Sequence, residues 1–141
     1  VASLTHLNDF GDSLRARLGS PVFLGRPDKA VGLYIWPWRA VTNPSRRNLP
    51  LPKPGSGGVA GPRAPDLDVH FLLLPSPANN HDGLARLEAA RKAIDDNPIL
   101  NLEATGVRLQ VIEESIPPAD LASVFIAAKL ELTICLAYVL R

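Results

Sequence analysis

Asp66, Asp68 and His70 stand at a spacing of two in Asp66-Leu67-Asp68-Val69-His70-Phe71, a stretch that alternates polar and apolar residues. On a β-strand this spacing turns all three side chains to one face, where two carboxylates and an imidazole make a mixed oxygen and nitrogen set for a divalent metal. A small metal-dependent enzyme is the chemical reading of that face. The competing reading is the solvated side of a half-buried strand, for which alternation is the ordinary pattern. His6 and His81 have no acidic or cysteine partner at metal-ligand spacing. Cys135 is the single cysteine and lies in an apolar run, so it reads as a structural thiol and not as a nucleophile. Gly55-Ser56-Gly57-Gly58 follows no strand, opens no helix and lacks the Lys-Ser/Thr of a phosphate cradle, which leaves a loop tip. In Glu113-Glu114 and Asp95-Asp96 the paired carboxylates are adjacent, point apart and cannot share a substrate. These residues predict no enzyme, no cofactor and no resident metal.

What remains is the chemistry of contact. Tyr34, Trp36 and Trp38 fall on one face of a strand over Val31–Arg39, with Val31, Leu33 and Ile35 on the other, and Pro37 predicts an edge position or a bulge near its end. Directly after it, residues 42–65 hold six prolines, four glycines and the cations Arg46, Arg47, Lys53 and Arg63 with no acid. That basic, Pro/Gly-rich loop contributes +4, and the rest of the chain is −3. Loops of this length inside a compact domain are usually functional or disordered.

Across 141 residues, 46% hydrophobic and 21% charged, the chain is long enough to close a core without staples. Fifteen basic against fourteen acidic side chains leave +1, so no global charge argues for nucleic acid or an anionic membrane. No stretch is apolar enough over roughly 20 residues to span a bilayer, and the first residues show no secretory signal, so a cytoplasmic protein is expected. An aromatic face of this kind also suits a carbohydrate or single-stranded nucleic acid, but four cations on one loop are a thin footprint for the latter.

Leu4, Leu7, Phe10, Leu14 and Leu18 predict a helix with Ser3 or Thr5 as N-cap and Gly19 as stop. After the loop come a strand over Asp66–Pro75 and a helix capped by Asn80, with Leu84, Leu87 and Ile94 toward the core, closed by Asn97-Pro98. A strand over Val107–Glu113 follows, then a short helix opened by Pro117 and Pro118 with Leu121, Val124, Phe125 and Ala128 in one stripe. A closing strand starts at Leu130, where Leu130, Leu132, Ile134 and Leu136 alternate with Glu131, Thr133 and Cys135. The expected fold is α/β (α+β), one domain over residues 1–141: a mixed four-stranded sheet, three helices and the long proline-rich loop. Its first two strands pair as a hairpin over that loop. The later helices pack on one face, leaving the aromatic face to the first helix or a partner.

The run from the first helix through Val31-Gly32-Leu33-Tyr34-Ile35 to Asn43-Pro44-Ser45-Arg46-Arg47-Asn48 resembles the N-terminal domain of the cap, or tail-terminator, proteins of contractile injection systems. These are phage-tail-like particles of the Photorhabdus virulence cassette and antifeeding prophage type. The order that follows agrees, through Asp66–Leu74, the helix end Ala93-Ile94-Asp95-Asp96-Asn97-Pro98-Ile99-Leu100 and Val107–Val111. The closing segment Leu121 to Tyr138 departs from it by lacking a tryptophan. The resemblance implies a structural role with no chemistry: a hexameric ring that ends the inner tube and the contractile sheath, with tube, sheath and further copies of the chain as partners. On that reading Arg46, Arg47, Lys53, Arg63, Trp36 and Trp38 are the expected partner-binding residues, and another phage-tail adaptor is the nearest alternative.

Overall fold

Leu7, Phe10 and Leu14 bury one stripe of a helix, α1 (His6–Leu18), which ends where Gly19 turns left-handed and its N–H reaches back to Arg15 O (2.9 Å). The computed structural model to which it belongs describes residues 4–42, 67–77, 80–102 and 106–141. Loop residues Arg46, Arg47, Lys53 and Arg63, and also Asp66, lie outside them. Along the described chain, α1 is followed by β1 (Val22–Leu24), β2 (Gly32–Thr42), β3 (Leu67–Ser76), α2 (His81–Asp96), β4 (Ile99–Leu102), β5 (Val107–Glu113), α3 (Pro118–Ala127) and β6 (Leu136–Leu140).

The sheet is mixed, as expected, but it has six strands in the order β1-β2-β3-β6-β5-β4, not four. The two additional strands are its edges. Val22-Phe23-Leu24 and Ile99-Leu100-Asn101-Leu102 are too short to display a period of two, and only their neighbours make them strands. The β2–β3 hairpin forms as expected, yet β2 is interior: β1 pairs with it in parallel from Leu33 to Ile35. Pro37 lies just past that pairing, where β2 has no second neighbour, and a bulge follows it.

Helix α2 starts at Asn80, whose side chain accepts the Gly83 N–H (2.7 Å). Its core stripe is Gly83, Leu87, Ala90 and Ile94, while Leu84, expected to face the core, is exposed. The last turn carries Asp95 and Asp96 and no cation, against the helix dipole. Arg17 of α1 corrects this by donating to Ala93 O (3.4 Å) and Asn97 O (3.2 Å).

Each face of the sheet has its own core. On one, α1 and α2 cover Leu33, Ile35, Val69, Phe71, Leu73, Leu109, Tyr138 and Leu140. On the other, Phe125, Leu121 and Val124 of α3 pack over Tyr34, Leu72 and Leu74. The expectation that both later helices share one face is therefore corrected, and the aromatic face is covered by α3 and not by α1.

The closing strand begins six residues later than expected, at Leu136, and Pro75 explains why. Gln110 and Arg141 exchange both backbone hydrogen bonds (2.8 and 2.9 Å), which turns residues 137, 139 and 141 toward β5 and 136, 138 and 140 toward β3. The next residue in that series, Ile134, would face Pro75, which has no N–H to give. The ladder therefore stops at Leu136 and Leu73. Cys135, expected inside the strand, precedes it and is half-buried against the second core, where burial pushes its thiol pKa up.

Tyr138 is fully buried and stacks on Phe71 (5.8 Å), but its hydroxyl has no hydrogen-bond partner among the described residues. Tyr34, in contrast, donates to Ala30 O (2.9 Å). Burial, then the Glu113 and Asp95 carboxylates, opposed by Arg91, push the Tyr138 pKa from 10.0 up to about 12. Above pH 10 the unfolded chain gives up this proton first. The Tyr138 contribution is thus intact below pH 10 and is lost as pH rises toward 12, at about 1.4 kcal/mol per pH unit. Urea titrations should show Tyr138→Phe equal to the wild type or about 1 kcal/mol more stable at pH 7, with an advantage that widens above pH 10. Parallel pH profiles for the two proteins would refute this.

Candidate functional site

The aromatic face is built by the β2–β3 hairpin. Trp36 lies opposite Leu72 in the ladder, and its ring meets Phe125 of α3 edge-on (5.6 Å, 82°). Register then shifts from Pro37 opposite Phe71 to Arg39 opposite His70, so Trp38 is the extra residue of the bulge. Its ring stands edge-on to His70 at 5.9 Å. Both tryptophans are half-buried, and the Trp38 indole N–H has no acceptor among the described residues. Trp36 and Trp38 thus share one face as expected. The four loop cations expected to act with them lie outside the described residues.

Asp68 and His70 share that face too, but each is committed elsewhere. His70 Nδ1 is 2.8 Å from Glu114 Oε2, and Arg141 Nε donates to Asp68 Oδ2 at 3.2 Å. Asp68 is only 6% exposed, so the guanidinium compensates a carboxylate that is costly to bury alone. No group of three His, Cys, Asp or Glu side chains converges on a metal-sized site among the described residues. The metal reading therefore has two of its three ligands engaged, Asp68 in an ion pair with Arg141 and His70 in a hydrogen bond with Glu114. Neither partner was visible in the sequence: Glu114 is 44 residues from His70 and Arg141 is 73 from Asp68. Only the placement of β6 between β3 and β5 brings them together. The arrangement that results is paired charges beside half-buried aromatics, which suits a contact surface.

Neither a family model nor a curated protein sequence matches the chain. Among solved structures the chain is similar to the cryo-EM structure of the anti-feeding prophage cap, the AFP tube terminating cap, with a TM-score of 0.67 at 15% identity. The match covers 99% of this chain and 54% of that one, so the chain spans about half the length of the cap protein. At this identity the likeness is one of fold. No helix among the described residues is long and apolar enough to cross a membrane.

Proposed function

We propose that the chain is a structural cap, a tail terminator of a contractile injection system. Six copies close into a ring that ends the inner tube and meets the last layer of sheath, within a particle assembled in the cytoplasm. No bond is made or broken. The observation that carries this reading is the likeness of fold to the AFP tube terminating cap along 99% of the chain. The family resemblance of its residues supports it from an independent side. Copies repeating one contact around a closed rotation make a ring, and each interface of a stable ring buries about 1,200–2,000 Å². In this role Arg46, Arg47, Lys53 and Arg63 meet acidic surface on tube, sheath or the adjacent copy, and Trp36 and Trp38 border the contact.

Electron microscopy of the full chain mixed with its tube and sheath tests the reading. A closed ring at one end of the tube is expected; tubes with bare ends, or the chain bound along their length, would overturn it. Another tail adaptor would seat at a junction between components and not at a terminus. The double substitution Arg46→Glu, Arg47→Glu should leave the urea midpoint within the range of ordinary surface changes, about 0.5 kcal/mol, yet broaden the distribution of particle lengths. A wild-type length distribution in that variant would remove the loop from the contact.

A further inference from the structure

Residues 131–135 have the composition of a strand and none of its pairing. Glu131-Leu132-Thr133-Ile134-Cys135 alternates and holds the β-branched Thr133 and Ile134, yet among the described residues its backbone takes part in no hydrogen bond with the rest of the backbone. Pro75 withholds the one place where β3 would have received it. Its aliphatic side chains are correspondingly open: Leu132 is 60% exposed, Ile134 49%, and Ile126 at the end of α3 74%. Beside it is a pocket of about 230 Å³ lined by Pro27, Leu74, Pro75, Phe125, Leu132 and Thr133, in which the Thr133 hydroxyl is buried without a partner among the described residues. Unpaired backbone flanked by apolar side chains and a side-chain-sized pocket is the requirement for receiving an extended polypeptide.

The same chain carries an edge suited to it. Of the two edge strands, β1 is closed: Leu33 donates to Pro21 O and Gly25 to Ile35 O, which turns Val22 outward, and there Arg15 of α1 donates to Val22 O at 2.5 Å. The outer edge of β4 is open at Asn101 among the described residues. Val111 donates to Pro98 O, so residues 98, 100 and 102 face β5 while Ile99 and Asn101 point away from the sheet; the Ile99 C=O accepts from the Asn97 side-chain amide (3.0 Å), and the N–H and C=O of Asn101 have no backbone partner there. Ile99–Leu102 is uncharged and free of proline, so its shortness is the protection this edge carries. Charge complements the pairing. Glu131 is exposed and forms no ion pair among the described residues, and the same holds for Arg108, which lies opposite Asn101 in the ladder next to that edge.

We propose that residues 131–135 of one copy receive the β4 edge of a second copy as a neighbouring strand, with Glu131 of one copy set against Arg108 of the other. The inference rests on the ring proposed above and names its contact. The two surfaces differ, so the contact is head-to-tail and propagates around a rotation instead of ending at a pair.

Sedimentation of the full chain over a range of concentrations decides the matter. The wild type should assemble into a closed ring, and Ile134→Lys should raise the concentration needed by about tenfold or more. Glu131→Arg and Arg108→Glu should each raise it about two- to fivefold, as expected for one exposed ion pair, and Glu131→Arg with Arg108→Glu should recover it. A wild-type ring that persists unchanged in all four variants would overturn this contact and leave the ring standing. A wild-type chain that stays monomeric at every concentration would overturn both. Loss of assembly in each single variant without recovery in the double variant would overturn the Glu131–Arg108 register.

Discussion

Phe125→Ala should cost about 3–5 kcal/mol and release α3 from the sheet, because this side chain is the helix's one buried residue. Ten residues are too few for a helix to persist alone in water, so α3 exists through its packing. It opens on Pro118, which presets the first turn but adds no side-chain cap bond. Phe125 is 1% exposed and fills the space above Tyr34, Leu72 and Leu74, with Trp36 edge-on to its ring. Truncating it leaves a cavity floored by a rigid sheet that has little room to collapse. Trp36 emission should shift to the red and part of the far-UV helical signal should disappear at denaturant concentrations where the α1 and α2 face still holds. Ile126→Ala, one residue on and exposed, should stay within about 0.5 kcal/mol of the wild type. Similar losses in both variants would mean that α3 does not dock through Phe125. The same helix ends beside residues 131–135, so on the contact proposed above the Phe125 variant should also fail to assemble at concentrations where the wild type does.

The helices and the long strands of this fold could be read from residue order because each carries its own signal. Leu7, Phe10 and Leu14 repeat at three and four, Asn80 supplies a cap, and Leu109 and Val111 alternate with Arg108 and Gln110. Which face each helix takes could not be read, and topology explains it. The handedness rule that assigns crossovers to faces applies to parallel strands, whereas α2 joins β3 to β4 and α3 joins β5 to β6, all within an antiparallel set. β1 lay below the resolution of pattern for a different reason. It is parallel to β2 across the connection 25–31, where parallel neighbours ordinarily need a dozen or more residues and a helix between them. The alternation at 130–135 predicted a strand that does not form there, and the reason lies in a distant part of the sequence, at Pro75 of β3. Of the aromatic face, the shared side of Tyr34, Trp36 and Trp38 was legible from their alternation. The contacts that occupy Asp68 and His70 depend on register across three strands, which single-sequence pattern does not encode.

Gly83→Ala should reverse the usual sign of a glycine-to-alanine change in a helix. In an open helix the added methyl group stabilises by up to about 1 kcal/mol, because alanine loses less backbone freedom on folding. Here a Cβ would overlap Pro77 O, and the obstacle is backbone and not a side chain that can swing away. Nor can α2 simply shift at that end: the Gly83 N–H is held by Asn80 Oδ1 at 2.7 Å, and Leu87, Ala90 and Ile94 lock the helix onto the first core. Either the Asn80 cap breaks or the end of β3 moves, and a loss of about 2–4 kcal/mol is expected, read as a lower urea midpoint at unchanged slope. Asn80→Ala, which removes only the cap, should cost about 1 kcal/mol and so separates the two contributions. A Gly83→Ala protein as stable as the wild type would show that the first turn of α2 is not in contact with Pro77.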